Sequence, residues 1–367
     1  MNKKVFNPAR LKFAREKRGF TIRKLCDCLK LTTKSLSDYE NGRRDPNDKT
    51  ISEIAKILNF QTGFFFLGPL HSIEPSSVSF RSLARMRASV RNSALRAGEL
   101  ALEMDTWINR RFELPKADLP DLYNYSSVAA AEAIRNAWGL GEKPIRNMVS
   151  TLEAKGIRVY SLAEDTQDMD AYSFWASDQP FIFLNTKKTV ERSRFDAAHE
   201  LGHLILHKHG EPMGKEIEAQ ANSFASALLM PEGSVKSHAI HYPSLKDIIT
   251  LKSFWLVSAS SLVRRLKDLN LITEWQYRSL TIDLSRNGYM KNEPEPICTR
   301  EESKLLPMVF SALKEEGISK GDVAKELGIP IEDINALTFK TQLTSIPGKN
   351  SKPASINSKN DYLKVIK

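Results

Sequence analysis

The sequence predicts a mainly α-helical protein with one small β-sheet, an α+β chain, on three observations. Apolar residues recur at three- and four-residue spacing through most of its 367 residues. Helix-starting Thr and Ser and helix-stopping Asn-Gly, Pro and Gly cut that pattern into short helices. Only three runs read as strands: IRVYSL (157–162), AYSFW (171–175) and PFIFLN (180–185), each apolar or aromatic and bounded by polar turns. The length allows two or three domains.

The first segment is basic. Residues 1–66 carry 15 Lys+Arg against 7 Asp+Glu, a net of +8, where the whole chain has +10. Such concentration points to a polyanionic partner. Within it, TIRKLCDCLKLTTKSLSDYENGRRDP (21–46) reads as helix, short turn, helix. Leu25, Leu29, Leu31, Leu36 and Tyr39 have the spacing of two helices packed across a turn. Thr21 can cap the first helix, and Thr32 or Thr33 the second. Asn41-Gly42 ends the second helix, where a left-handed residue is needed. Flanking helices are expected at 8–18, 48–58 and about 61–66.

This segment resembles the Cro/repressor (XRE) type of helix-turn-helix, with YENGRRDP as its signature. The family pattern has glutamine, alanine and glycine where this chain has Ile22, Cys26 and Lys30. Ile22 cannot make the phosphate contact of that glutamine. Lys30 must take an unusual backbone conformation, or the turn differs. The resemblance implies that Thr33, Lys34, Ser37 and Asp38 face bases in the major groove of double-stranded DNA, and that Arg43 and Arg44 meet phosphates. It also implies a homodimer on two half-sites.

The stretch 68–126 opens with a Pro/Ser-rich loop. It continues as a long basic helical segment (SLARMRASVRNSALRAGELALEMDTWINRRF) that Pro115 and Pro120 break. It reads as a helical connector.

Residues 199–203 are HELGH. On a helix, His199 and His203 are one turn apart and leave the same face, so both imidazoles can grip one Zn²⁺. Glu200 leans toward the same region and can take a proton from a water there. The surrounding RFDAAHELGHLILH is apolar at Phe195, Ala198, Leu201, Leu204 and Ile205, the pattern of a packed helix. Downstream, Glu218 and Asn222 are again at i and i+4, above the apolar stripe Phe224, Ala225, Leu228 and Leu229 that Pro231 and Gly233 end. A second helix can thus deliver Glu218 as third ligand, with Asn222 as hydrogen-bond partner of a histidine.

From about Ala130 to Pro231 the chain is similar to the ImmA/IrrE family of metallopeptidases. The similarity is carried by RFDAAHELGHLILH (194–207) and E-x-x-A-N-x-F-A-x-x-L-L-M-P (218–231). The segments AEAIRNAWGL, PIRNMVSTLEAKGIRVY and DAYSFWASDQPFIFLN agree in character. The resemblance implies a zincin-like, gluzincin-type domain in which His199, His203 and Glu218 bind zinc, manganese being possible. Glu200 is then the general base. A substrate cleft is expected between the AYSFW edge and the HELGH helix, with a protein as substrate. His238, His241, Tyr242 and Tyr172 are candidates for stabilising the oxyanion. His207 and His209 read as surface or supporting residues.

After the site, 245–272 is again helix, turn, helix, with a basic strip at Arg264, Arg265 and Lys267. A weaker echo at 319–337 places Val323, Ala324, Leu327, Ile329 and Ile334 where the first motif has Leu25, Cys26, Leu29, Leu31 and Leu36. Its second helix is acidic (Glu332, Asp333), which suits a structural or partner-binding pair. The tail TQLTSIPGKNSKPASINSKN has the composition of a disordered segment.

No apolar run approaches 18 residues, so no membrane span is expected, and MNKKVFNPAR lacks the apolar core of a signal peptide. Cys26, Cys28 and Cys298 cannot make a disulfide framework, which suits a reducing cytoplasm. Cys26 and Cys28 read as core and surface thiols, and Cys298 as isolated. The expected organisation is 1–67 XRE-type helix-turn-helix, 68–126 connector, 127–235 ImmA/IrrE-like metallopeptidase, 236–292 helical lobe, 293–340 helix pair and 341–367 disordered tail. Two functional classes stay open: a DNA-binding regulator fused to a zinc endopeptidase that cleaves a repressor, an antitoxin or itself, and a regulator whose zincin lobe is a non-proteolytic sensor or partner-binding module.

Overall fold

The computed structural model describes residues 5–73, 78, 87–162, 171–208, 214–294, 299–339 and 364–365. Four helices open the chain, α1 (Pro8–Lys17), α2 (Ile22–Leu29), α3 (Thr33–Glu40) and α4 (Asp48–Leu58), followed by a 3-10 turn at Thr62–Phe66 where a helix was expected. Each helix starts where a side-chain oxygen accepts from the first turn: Asn7, Thr21, Thr32 and Asn47 in order. Leu25, Leu29, Leu36 and Tyr39 are buried together. Lys30 resolves the question its turn posed by adopting the left-handed conformation, φ 55°.

The connector contains α5 (Ala88–Asn109) and a two-residue strand, β1 (Phe112–Glu113). Then follow α6 (Ser127–Ala137), α7 (Met148–Ala154) and the strands β2 (Arg158–Leu162), β3 (Ala171–Ala176) and β4 (Gln179–Asn185). The sheet order is β2-β4-β3, with β2 parallel and β3 antiparallel to β4. A two-residue turn joins β3 to β4, and its first residue Ser177 has the positive φ (52°) that such turns require.

The sheet separates two apolar cores because side chains alternate across a strand. Tyr160, Tyr172, Phe174, Phe181 and Phe183 face the core shared with α1–α5. Val159, Ala171, Ile182 and Leu184 face the core beneath α8 (Val190–Leu206) and α9 (Lys215–Leu229). Burial on both faces explains why PFIFLN is continuously apolar.

The remaining helices are α10 (Glu232–His238), α11 (Leu245–Trp255), α12 (Ala259–Asp268), α13 (Glu274–Arg286), α14 (Leu305–Glu315), α15 (Lys320–Leu327) and α16 (Ile331–Leu337). Helices α11–α13 extend the second core. Helices α14–α16 return to the first, where Val323, Ala324, Ile329 and Ile334 are buried. The acidic helix of the 319–337 echo thus contacts the N-terminal bundle. Arg18 forms a two-pronged pair with Asp333 (Nη1–Oδ1 2.8 Å, Nη2–Oδ2 2.7 Å). Within the 341–367 tail, Lys364–Val365 form β5, antiparallel to β1; its other residues lie outside the described ones, as do His209 and Cys298. Among the described residues, no helix is long and apolar enough to cross a membrane.

A second tether joins the C-terminal arm to α8. Arg194, 1% exposed, pairs through Nη1 with Glu301 Oε1. Glu301 Oε2 also accepts from the backbone N–H of Met148 (2.7 Å) and Val149 (3.2 Å), at the start of α7. Removing one partner of such a buried pair leaves an uncompensated charge. Glu301→Ala is therefore expected to destabilise the fold by about 3–5 kcal/mol. Urea denaturation reads this as a lower midpoint; an unchanged midpoint contradicts it.

Candidate metal centre and nucleic-acid face

The helix α8 runs from its Thr189 cap, beneath β3, and presents His199 and His203 one turn apart. Helix α9 crosses it closely at Gly202, where an added Cβ would stand 3.0 Å from Phe224 Cδ1 and 3.3 Å from Ala221 Cα. That glycine of HELGH permits the approach and brings Glu218, in the first turn of α9, over the two imidazoles.

His199 Nε2 lies 3.0 Å from His203 Nε2 and 3.3 Å from Glu218 Oε2, and His203 Nε2 lies 3.6 Å from Glu218 Oε1. Ligands about 2.0–2.1 Å from a tetrahedral ion stand roughly 3.3 Å apart, so these separations suit one ion. Their hydrogen bonds agree. The Asn222 carbonyl oxygen lies 3.1 Å from His199 Nδ1 and can only accept, so Nδ1 carries the proton and Nε2 presents its lone pair. Gln220 Oε1 lies 2.9 Å from His207 Nε2, and His207 Nδ1 lies 3.0 Å from His203 Nδ1. With Gln220 accepting, His207 donates from Nε2 and accepts at Nδ1, so His203 also presents Nε2.

Electrostatics favour a cation here. Burial works against a charged His199, yet the hydrogen bond to Glu218 and the charges of Glu200, Glu218 and Asp196 outweigh it and hold the imidazole above its ordinary pKa. A group of carboxylates that draws a proton onto a buried imidazole also attracts a divalent ion. The residues present fit a metal.

Glu200 is buried on the same helix. Ser173 on β3, a residue with no signal in the sequence beyond strand alternation, donates from Oγ to Glu200 Oε2 at 2.6 Å. Trp175 donates to the Leu204 carbonyl (3.1 Å), fixing β3 against α8. His199, Glu200, His203, Glu218 and Asn222 line one cleft of about 1580 Å³. The four expected oxyanion candidates do not line it. Tyr172 is buried on the opposite sheet face and donates to the Ala94 carbonyl, while His238 packs against Phe254 and Trp255. His241 and Tyr242 pack on one another, Tyr242 being 73% exposed. Tyr289, from the stretch after α13, does line the cleft.

On the N-terminal face, Thr33, Lys34, Arg43 and Arg44 are exposed, and Ser37 and Asp38 half-exposed on α3. Asp38 Oδ1 pairs with Arg43 Nη1 at 3.7 Å, so this carboxylate and this guanidinium offset one another. Ser37 Oγ accepts from Asn41 Nδ2 (3.2 Å).

Residues 152–267 match the family model described as IrrE N-terminal-like domain, Peptidase_M78, and residues 9–69 match that of a helix-turn-helix domain. The chain joins an XRE-type helix-turn-helix domain to an IrrE/ImmA-type domain. A similar curated protein is the SPbeta prophage-derived uncharacterized HTH-type transcriptional regulator YonR of Bacillus subtilis (strain 168), 32% identical over 59 residues. That match covers 16% of this chain and 55% of YonR, so the chain spans about half the length of the relative. The peptidase-family match and the His-His-Glu cluster together imply a metal.

Asn222 fixes the tautomer of His199, and such partners of a metal-binding histidine typically set metal affinity by 10–100-fold. Asn222→Ala is expected to weaken metal binding by that order and His199→Ala to abolish stoichiometric binding. Competition with a chelating dye, read by elemental analysis, checks both; wild-type affinity in either variant would contradict the assignment.

Proposed function

We propose that this chain is a DNA-binding transcriptional regulator carrying a zinc-dependent endopeptidase that cleaves a regulatory protein: a repressor, an antitoxin or the chain itself. The convergence of His199, His203 and Glu218 beside Glu200, in the wall of a large cleft, carries the reading. The division into functional units is 1–67 for DNA, 68–126 as connector, 127–235 for peptidase chemistry, 236–292 and 293–340 as helical supports, and 341–367 as tail. The cytoplasm is the proposed compartment, which suits the free Cys26 and Cys28 thiols. A homodimer is the proposed form on DNA.

His199, His203 and Glu218 would hold the ion, zinc on the chemistry of two imidazoles and a carboxylate. Bound there, it would supply Lewis acidity to a peptide carbonyl and to water. Glu200 takes a proton from the attacking water and returns it to the leaving amine. Ser173 restrains the Glu200 carboxylate through its 2.6 Å hydrogen bond. β3 lies at the sheet edge beside α8, where Val78 bridges antiparallel to Phe174, so an added peptide strand would be confined to the remainder of that edge. The cleft exceeds the roughly 300–1,000 Å³ of small-molecule pockets, which favours a polymeric substrate over a metabolite.

Glu200→Gln keeps the ligands and removes the base. With a proteome-derived peptide library read by mass spectrometry, cleavage is expected to fall by about 10²–10⁴-fold with metal content unchanged. Equal cleavage by the variant, or none by the zinc-loaded wild type, overturns the peptidase reading and favours the sensor.

The DNA reading makes a separate demand. If Arg43 and Arg44 neutralise phosphates, replacing either by Ala lowers the slope of log K against log[salt] by about one unit per lost contact. Fluorescence anisotropy with a selected operator duplex measures it, and an unchanged slope in both variants removes these residues from the interface.

A further inference from the structure

The edge strand beside the metal site carries a partner from within the chain. Ala171, the first residue of β3, lines the cleft. Val78 of the connector bridges the same strand antiparallel at Phe174. Farther along the connector, Arg87 and Val90 line the cleft as well. Packing holds the bridged residue in place. Val78 is 4% and Phe174 2% exposed, and both belong to the core on the aromatic face of the sheet. Ahead of Val78, Ile73 is buried against α5 at Gly98, where an added Cβ would stand 2.8 Å from Ile73 Cδ1. The Ile73 N–H donates to Glu99 Oε1 at 3.2 Å. Glu103 Oε1 accepts from the His71 N–H at 3.2 Å and lies 2.9 Å from His71 Nδ1. Arg96 donates through Nη1 to both Glu99 oxygens at 2.6 Å and through Nε to Glu16 Oε2 on α1 at 3.0 Å. The connector is therefore fastened to α5 by two carboxylates and to β3 by strand pairing.

We propose that the connector is an intramolecular inhibitor of the peptidase cleft, seated through Val78 on the edge that an extended substrate uses. This rests on the peptidase reading and names how that site is regulated. An extended peptide is held at a sheet edge by main-chain hydrogen bonds, and an edge position pairs with one strand at a time. With Val78 seated, an added strand has only the remainder of β3; with Val78 gone it has the whole of Ala171–Ala176. The connector belongs to the same molecule, so its effective concentration at β3 is on the order of millimolar. A peptide in solution is more dilute and competes poorly. Exchange is nevertheless accessible, because among the described residues the pairing is a single bridge rather than a ladder. A substrate segment that offers a longer ladder displaces Val78 and gains the full edge beside Glu200.

Two variants move the connector in opposite directions. Val78→Asp puts a carboxylate into a buried apolar seat, which expels it. Val78→Cys with Phe174→Cys can be joined by a disulfide, since directly opposed residues of an antiparallel pair have Cβ atoms about 4.5–5.5 Å apart, close to disulfide range. The reduced form of that protein is its own control. Zinc-loaded full-length proteins receive the proteome-derived peptide library, and initial cleavage is read by mass spectrometry. Val78→Asp is expected to cleave about tenfold faster than wild type, and the oxidised cysteine pair about tenfold slower than its reduced form. No rise in a Val78→Asp protein that keeps its zinc and its cooperative melting overturns the proposal and leaves the peptidase standing. Where that variant does not fold, the cysteine pair decides, and equal rates in its two redox states overturn the proposal. Absence of cleavage by every protein is a failure of the peptidase reading, and a binding measurement then tests the seat by itself. A fluorescein-labelled peptide copying residues 71–80 (HSIEPSSVSF) is titrated with each protein and followed by anisotropy. It is expected to bind Val78→Asp about tenfold more tightly than wild type, and the reduced cysteine pair more tightly than the oxidised one. Equal binding within both comparisons, or no binding to any protein, overturns the proposal.

Discussion

The crowding of carboxylates against two imidazoles on the α8–α9 contact is the constraint around which the second half of the molecule is arranged. Glu200 and Glu218 are buried, and the cost of keeping such charges from water is large unless a cation or hydrogen-bond donor compensates. The fold supplies donors where it can. Ser173 reaches Glu200 from β3, and Asn222 and the His207–Gln220 pair orient the imidazoles from the other side. Against the effect of burial, Glu218, Glu200 and Asp196 also favour a species that brings positive charge to this point, which is why the His199 imidazole is held above its ordinary pKa. A divalent ion would do so, and its binding energy would then stabilise the packing that created the need.

The sheet makes this arrangement possible and ties it to the remainder of the chain. Its aliphatic face supports α8, while its aromatic face closes the core of α1–α5. The C-terminal arm runs along both. Glu301 holds Arg194 on α8, and Asp333 holds Arg18 on α1, the first helix of the N-terminal bundle. A rearrangement at either end therefore meets a charged tether that belongs to the same arm.

One backbone device recurs. Lys30, Leu256 and Gly328 all end a helix in the left-handed conformation, with φ of 55°, 57° and 67°. Each is followed by an apolar residue and then by the cap position of the next helix: Leu31 and Thr32, Val257 and Ser258, Ile329 and Pro330. Two of the three left-handed residues are not glycine, and an L side chain there costs about 1–2 kcal/mol. Packing of the apolar middle residue offsets that strain. Val257 and Ile329 are buried, and Leu31 packs partly buried against the first core. The three pairs are used differently. The first exposes the start of α3, the second turns the start of α12 into the cleft, and the third packs on the N-terminal bundle.

Local periodicity determined much of this from the sequence alone. Caps at Thr21 and Thr32, the three strands, and the two helices bearing His199, His203, Glu218 and Asn222 follow from spacing and side-chain chemistry that act within one or two turns. The same reasoning proposed Glu218, fifteen residues beyond His203, as a third ligand from the i and i+4 polar pairs on two amphipathic helices. What depends on contacts distant in sequence was not legible. Ser173 reaches Glu200 only because β3 lies beside α8. His207 acts through His203 only because Gln220 comes over it. Tyr172 leaves the site because strand alternation turns it to the opposite face. The partners Arg18–Asp333 and Arg194–Glu301 join residues 315 and 107 positions apart. No period in a sequence encodes such pairs; they form when the sheet, the two cores and the returning arm have assembled.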